Sequence, residues 1–330
     1  MPKTKKAWLT GLVIVLIFFA FILYKIKPSR LIEAVVGVAW GWVAIAGLVN
    51  ILNIGVESLR WQQIVLTVKQ GVSFKRIFEA FLVGFFGNII FPLRIGDGLR
   101  VYFLSQKEAI KIPEVIWTFV LDRLADVVFF LVLIGVTGLY FPLSGETERA
   151  FHLLLLVVSI IVLVLVVVAY FSARGEKEKL PQWPKRLNNL ANRFLIAWRD
   201  LLRAKNLLLV SLASLFSWIL RVLIIWAMFR AFHLNLPFVA SVIGLITINL
   251  GLAAVNTPAN VGGFELGLVA ALKLFDVDTE VALSCALLLH LVEVIPVFLM
   301  GGLVAIETGF KPQEARKEAE EIEETLEEAL

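Results

Sequence analysis

Six apolar runs, each long enough to cross the roughly 30 Å hydrocarbon core of a bilayer, limit what this chain can fold into. They lie at about 7–24, 35–59, 113–140, 150–172, 206–232 and 281–307. A 330-residue chain that is 59% hydrophobic and 18% charged, with a mean hydropathy of +0.88, cannot expose that much apolar surface to water. The class expected is an all-α polytopic membrane protein, because a helix satisfies its own backbone where no water is present. Lys3, Lys5 and Lys6 ahead of the run from Ala7 to Tyr24 resemble a signal peptide. The stretch from Lys25 to Arg30 offers no small-x-small cleavage site, so an uncleaved first transmembrane helix is expected.

Two further apolar regions are broken. Asn88-x-x-x-Pro92-x-x-x-Gly96-Asp97 interrupts one and Asn256-x-Pro258-x-x-x-Gly262-Gly263-x-Glu265 the other. Pro/Gly breaks at matching places in two halves of a membrane protein point to a transporter with inverted repeats and a midplane site. The expected architecture is about six full spans plus two re-entrant hairpins, at 77–109 and 239–275. With both hairpins re-entrant and the N-terminus cytoplasmic, inner segments hold twenty Lys and Arg and outer ones four, a strong inside bias that also puts the C-terminus in the cytoplasm. If 239–256 spans instead, the C-terminus moves outside, which the count alone leaves open.

An internal comparison favours the hairpins. Leu121-Asp-Arg-Leu-Ala-Asp-Val127 aligns with Leu288-Leu-His-Leu-Val-Glu-Val294 at an offset of 167, and Pro92 with Pro258 at 166. The membrane region is thus expected over 1–307, with repeats at about 31–140 and 206–307, each reading span, broken hairpin, span. Between them lies a linker, 173–205. In it Leu187, Leu190, Phe194, Trp198 and Leu201 recur at helical spacing opposite Lys185, Arg186, Arg193, Arg199 and Arg203, an amphipathic helix suited to an anionic leaflet. The tail, 308–330, is acidic and reads as a short solvated helix or disorder.

Several chemistries are disfavoured. One cysteine, Cys285, permits no intramolecular disulfide. His152, His233 and His290 lack ligand spacing, so no metal site is expected. Asp276-Val277-Asp278 spells a D-x-D in a very short connection without a nucleotide-binding domain beside it. Gly96-Asp97-Gly98 is not followed by the Gly-Lys-Ser/Thr of a phosphate loop. No cofactor and no nucleic-acid partner is expected.

The charged residues inside apolar sequence are the candidates for function. Helices restarting after each break would aim free N–H groups and a positive dipole end at an anionic group such as a lipid phosphate. Asp97 and Glu265 lie in or near those first turns, either capping the helix or handling substrate and protons. Arg94 sits inside the first break and has the better claim on a phosphate. Arg60 and Arg100 either bind phosphate or snorkel to the interface. Asp122, Arg123 and Asp126 fall well inside a span, where a charge costs roughly 2.5–3.5 kcal/mol and needs a partner. They form either an internal ion pair or a polar lining. His290 and Glu293 hold equivalent places in the second half, with Arg221 mid-span in the helix before. A proton relay through Glu293 and His290 fits that pattern.

Pro92-Leu-Arg-Ile-Gly-Asp-Gly-Leu-Arg100, Leu121-Asp-Arg-Leu-Ala-Asp126 and Thr257-Pro-Ala-Asn-Val-Gly-Gly-Phe-Glu265 together resemble a known pattern. It is that of the flippase-like membrane domain of lysylphosphatidylglycerol synthetases, the multiple peptide resistance factors, and of their stand-alone bacterial and archaeal relatives. The likeness covers roughly 7–307. It implies a bundle of about eight membrane segments, some broken, that moves a lipid between leaflets; for archaeal relatives it implies involvement with lipid-linked sugars. This chain has Asp97 where the family often has Glu, and Asp122-Arg123 where it usually has Glu-Arg. It runs only some twenty residues past its last span, so aminoacyl-transferase activity is not expected.

The resulting expectation is a translocase of the cell membrane, not an enzyme, that moves a phospholipid or lipid-linked headgroup. Arg60, Arg94, Asp97, Arg100, Asp122, Arg123, Asp126, Arg221, Asn256, Glu265, His290 and Glu293 would line the headgroup path. Pro92, Gly96, Pro258, Gly262 and Gly263 would shape the breaks. Membrane lipids, anionic or sugar-linked, are the expected partners. The alternatives are an intramembrane transferase or accessory protein of lipid-linked sugar metabolism, and a small-solute transporter.

Overall fold

The computed structural model describes residues 36–91, 94–140, 204–254 and 257–309. The expected spans at 7–24 and 150–172, the amphipathic linker as far as residue 203, the tail from residue 310, and Pro92 and Asn256 all lie outside them. The described residues form eight α-helices and one short 3-10 helix. They are α1 (Trp40–Val65), α2 (Phe74–Ile90), α3 (Ile95–Glu108), α4 (Ile112–Tyr140), α5 (Ala204–Ala231), α6 (Phe238–Ala254), α7 (Gly263–Lys273) and α8 (Thr279–Glu307), with the 3-10 turn at Pro258–Asn260 before α7. The protein is an all-α polytopic membrane protein. Within α1, α5 and α8 lie stretches long and apolar enough to cross a bilayer, and α4 matches α8 in length at 29 residues.

Helix α1 shows how the sequence suits lipid. Its exposed positions are apolar, including Ile45, Leu48, Leu52 and Leu59, while Asn50, Asn53, Glu57 and Arg60 are buried. Those four polar residues recur at spacings of three, four and three, so they share one face turned away from lipid. Polar groups there find protein partners that hydrocarbon does not offer.

The helices cluster into two compact units. Among the described residues one comprises 36–55, 78–91, 94–103 and 217–309, the other 56–77, 104–140 and 204–216. In the first, Asn53 Oδ1 accepts a 2.8 Å hydrogen bond from Ser217 Oγ of α5, and Trp42 meets Trp226 edge to face with centroids 5.4 Å apart. Asn50 of α1 repairs a defect in α8. Pro296 has no N–H to give the Val292 carbonyl four residues back, and Asn50 Nδ2 donates at 3.2 Å to the carbonyls of both Val292 and Glu293. Ile54, Leu82 and Val297 then form a small core. α8 approaches α2 so closely at Gly301 that a Cβ would stand 2.7 Å from the Leu82 carbonyl oxygen.

Both breaks turn the chain back on itself. In the α2–α3 hairpin, a Cβ on Gly96 would overlap the Gly84 carbonyl oxygen and the backbone of Asn88. In the α6–α7 hairpin, a Cβ on Gly251 would overlap the Gly263 carbonyl, and one on Gly267 would stand 2.5 Å from the Thr247 carbonyl. Small residues let two backbones touch, which is how helices associate where lipid removes the hydrophobic drive between them. The touching pairs Gly84/Gly96 and Gly251/Gly263 are separated by 167 residues, member for member. Ala109 and Asp276, left-handed residues that follow α3 and α7, share that offset. Asp276 therefore ends a helix, and Asp278 takes the N-cap position of α8, which assigns both acids of the D-x-D to helix ends.

Candidate functional site

In the second unit the buried charges meet between α1 and α4. Arg60, fully buried, donates from Nε to Asp122 Oδ1 at 2.8 Å and from Nη1 to Asp126 Oδ1 at 2.6 Å. Arg123 approaches the other oxygens of the same carboxylates, at 3.7 Å from Asp122 Oδ2 and 3.5 Å from Asp126 Oδ2. Two carboxylates are thus held between two guanidiniums. Trp61 Nε1 donates to Thr118 Oγ1 at 3.2 Å and fixes the same helix pair one residue away. The fork of Arg60 suits this role, because Nε and Nη1 can serve two acceptors at once.

The alternative in which Arg60 snorkels to the interface is corrected, since its guanidinium is bound inside the helix pair. So is the same alternative for Arg100, which is buried with its guanidinium 3.6 Å from the centroid of Phe81. Arg123 is different. Its side chain is 37% exposed and lies over Phe119 at 5.1 Å.

In the first unit, the first break carries Arg94 and Asp97. Arg94 is exposed, adopts a left-handed conformation (φ 55°), and accepts the Asp97 N–H on its carbonyl at 2.9 Å. Its side chain makes no ion pair among the described residues. Asp97 lies in the first turn of α3 and accepts 3.1 Å from Asn88 Nδ2 across the hairpin. Arg221 lies half-buried in α5 with its guanidinium 5.0 Å from the ring centre of Trp218.

The second break is closed by a chain of short contacts. Glu265, third residue of α7, accepts the Gly262 N–H on Oε2 at 2.7 Å and caps its own helix. Its other oxygen, Oε1, lies 2.6 Å from His290 Nδ1 on α8, and His290 Nε2 lies 2.7 Å from the carbonyl oxygen of Ala259 in the break. Phe264 stacks on the imidazole, centroids 4.6 Å apart and planes at 21°. Ala259, Asn260 and Gly262 all have positive φ, so the backbone here is held in a conformation it would not choose alone. Glu265 thus caps its own helix with one oxygen and contacts His290 with the other. Glu293 is half-buried one turn beyond His290.

The structure brings together Arg60, Asp122, Arg123 and Asp126 in one cluster, and Glu265 and His290 in another. Sequence reasoning placed Asn88 in the break motif without a partner, and it missed Asn50 and the roles of Phe264 and the Ala259 carbonyl. The polar stripe on α1 was the available signal for Asn50. Nothing in spacing alone points to a carbonyl inside a break.

Over residues 8–301 the chain matches the family model described as the lysylphosphatidylglycerol synthase TM region. It is similar to a UPF0104 membrane protein of Methanocaldococcus jannaschii, 25% identical over 88% of this chain and 91% of that one. It is also similar to a UPF0104 membrane protein of Methanothermobacter thermautotrophicus, 24% identical over 92% of this chain and 93% of the other. With the family model covering most of its length, the chain belongs to the family of the lysylphosphatidylglycerol synthase transmembrane region.

Proposed function

We propose that this protein is a translocase that carries a phospholipid or lipid-linked headgroup between leaflets of the cell membrane, with both termini cytoplasmic. The observation that carries the proposal is the pair of glycine-packed hairpins. At 1.5 Å per residue, α2 and α6 (17 residues each) reach about 25 Å, α3 (14 residues) about 21 Å and α7 (11 residues) about 16 Å, all short of the hydrocarbon thickness. Hairpins of that length enter and leave on one side. Their shared offset of 167 residues supports two repeats, about 31–140 and 206–307, that run in opposite senses through the membrane.

In this reading the phosphate is taken at the helix breaks. Arg94, an exposed cation at the start of α3, is its first ligand. Asp97 and Glu293 balance charge along the path. The buried Arg60 and Arg100 hold helices rather than headgroup. The family match is to the transmembrane region and not to the synthase domain, so translocation is proposed rather than aminoacyl transfer.

The test is leaflet exchange in proteoliposomes, comparing fluorescent anionic lipid, zwitterionic lipid and a lipid-linked sugar. Exchange that falls at least tenfold in Arg94→Ala, with folding intact, supports the assignment. Wild-type protein that inserts and exchanges none of the three refutes it and favours a transferase or an accessory role.

A further inference from the structure

The imidazole of His290 is gripped at both nitrogens. Nε2 meets a backbone carbonyl, which can only accept, so that nitrogen must carry hydrogen. Nδ1 meets Oε1 of Glu265 at 2.6 Å, a distance that needs a hydrogen between them, whether it is drawn on the imidazole or on the carboxyl group. The closed arrangement therefore contains one proton more than a carboxylate and a neutral imidazole hold together. If that proton leaves, a lone pair opposes a lone pair at one of the two contacts, whichever nitrogen gives it up.

We infer that Glu265 and His290 form a binding site for one exchangeable proton, and that its occupancy latches the second break onto α8. In the loaded state the pair is neutral, Glu265 Oε1 and His290 Nδ1 share the proton, and Nε2–H holds the Ala259 carbonyl. On release the proton passes to water in the break and the pair becomes anionic. The remaining hydrogen stays on Nδ1 in the stronger, charge-assisted bond to the Glu265 carboxylate, so Nε2 loses its grip on the Ala259 carbonyl and the left-handed segment Ala259–Asn260 is freed from α8. Beside Glu265, the nearest acid along α8 is Glu293, one turn beyond the ring. α6 carries no charged residue, and Asn50 of α1 is engaged with the carbonyls of Val292 and Glu293.

The halves of the chain differ at this point. Offset by 167 residues, His290 corresponds to Arg123, which is always charged, so the second half alone carries a titratable base there. The sign follows from linkage: the closed state binds the extra proton, so acid favours closure and rising pH favours opening. That this proton cycle drives lipid movement rests on the translocase proposal; the proton site itself does not.

The test is thiol accessibility of Val261→Cys, in the break and packed against Leu283, in full-length Cys285→Ala protein in lipid bilayers. Labelling with a membrane-permeant maleimide, corrected for thiolate fraction by a free-cysteine peptide control, is expected to rise at least fivefold from pH 5 to pH 9. Glu265→Gln keeps the cap and supplies a permanent N–H toward Nδ1, so it should hold labelling at the low-pH level throughout. His290→Leu should label at the high level throughout. Labelling that does not change with pH in the parent, or that rises equally in Glu265→Gln, overturns the proton site. Because accessibility needs no transport, a protein that shows the switch but exchanges no lipid refutes the translocase proposal alone.

Discussion

Replacing Asp122 with alanine removes the acceptor of Arg60 Nε while leaving the guanidinium in place. Arg60 is fully buried, its Nη2 already has no hydrogen-bond partner among the described residues, and Asp126 would become its remaining direct acceptor. Removing one partner of a buried ion pair typically costs about 3–5 kcal/mol, because a desolvated charge is left uncompensated. That is roughly a hundred- to several-thousand-fold in the folded-to-unfolded ratio, and a fall on the order of 10 °C in apparent Tm. The decisive comparison is the triple variant Arg60→Met, Asp122→Leu, Asp126→Leu made in a Glu57→Gln background, because buried Glu57 also faces Arg60 and would otherwise be left as an uncompensated charge; Arg123, over a third exposed, can turn to water. The triple variant should recover most of the loss, since apolar replacements of a whole buried cluster are often neutral. Thermal unfolding followed by size-exclusion fluorescence in detergent reads both. An Asp122→Ala protein within 2 °C of wild type, or a triple variant less stable than the single one, would refute the account of the cluster as a desolvated clamp.

Gly96→Val and Gly251→Val should each prevent the hairpins from closing and reduce the folded fraction on size exclusion at least tenfold, because the clash is with backbone rather than with a movable side chain; yields near wild type would contradict the close approach. Asn50→Leu should cost about 1–2 kcal/mol by stranding the Val292 carbonyl that Pro296 cannot serve. The pair Asn50→Leu with Pro296→Ala should regain part of that loss, and thermal unfolding would show whether it does. Cys285 is fully buried, so maleimide should modify it only after denaturation, and rapid labelling of the native protein would be inconsistent with its place in α8.

The order of elements was legible because lipid makes a simple demand: a long apolar run has to be a helix. The spans expected at 35–59, 113–140, 206–232 and 281–307 correspond to α1, α4, α5 and α8, and each Pro/Gly break lies between two shorter helices. Boundaries moved by up to six residues, as at the end of α1, because polar residues such as Arg60 and Gln62 extend a helix when a neighbour accepts them. Asp122, Arg123 and Asp126 announced themselves by the cost of their charge in a span. Their partner did not.

One-dimensional spacing fixes which residues share a helix face and says nothing of which other face meets it. The alternatives for Arg60 were therefore a phosphate or the interface, when the tertiary structure gives it two aspartates sixty residues away. The same limit hid Asn50 behind Pro296 and the Ala259 carbonyl behind His290. By itself the sequence determined a helical membrane protein with two breaks beside acids, because helix period, proline and glycine act locally and lipid excludes the alternatives. Tertiary structure alone decided which charges are consumed in holding helices together and which, like Arg94, remain exposed. That choice depends on contacts between residues far apart in the chain, made only when the helices pack.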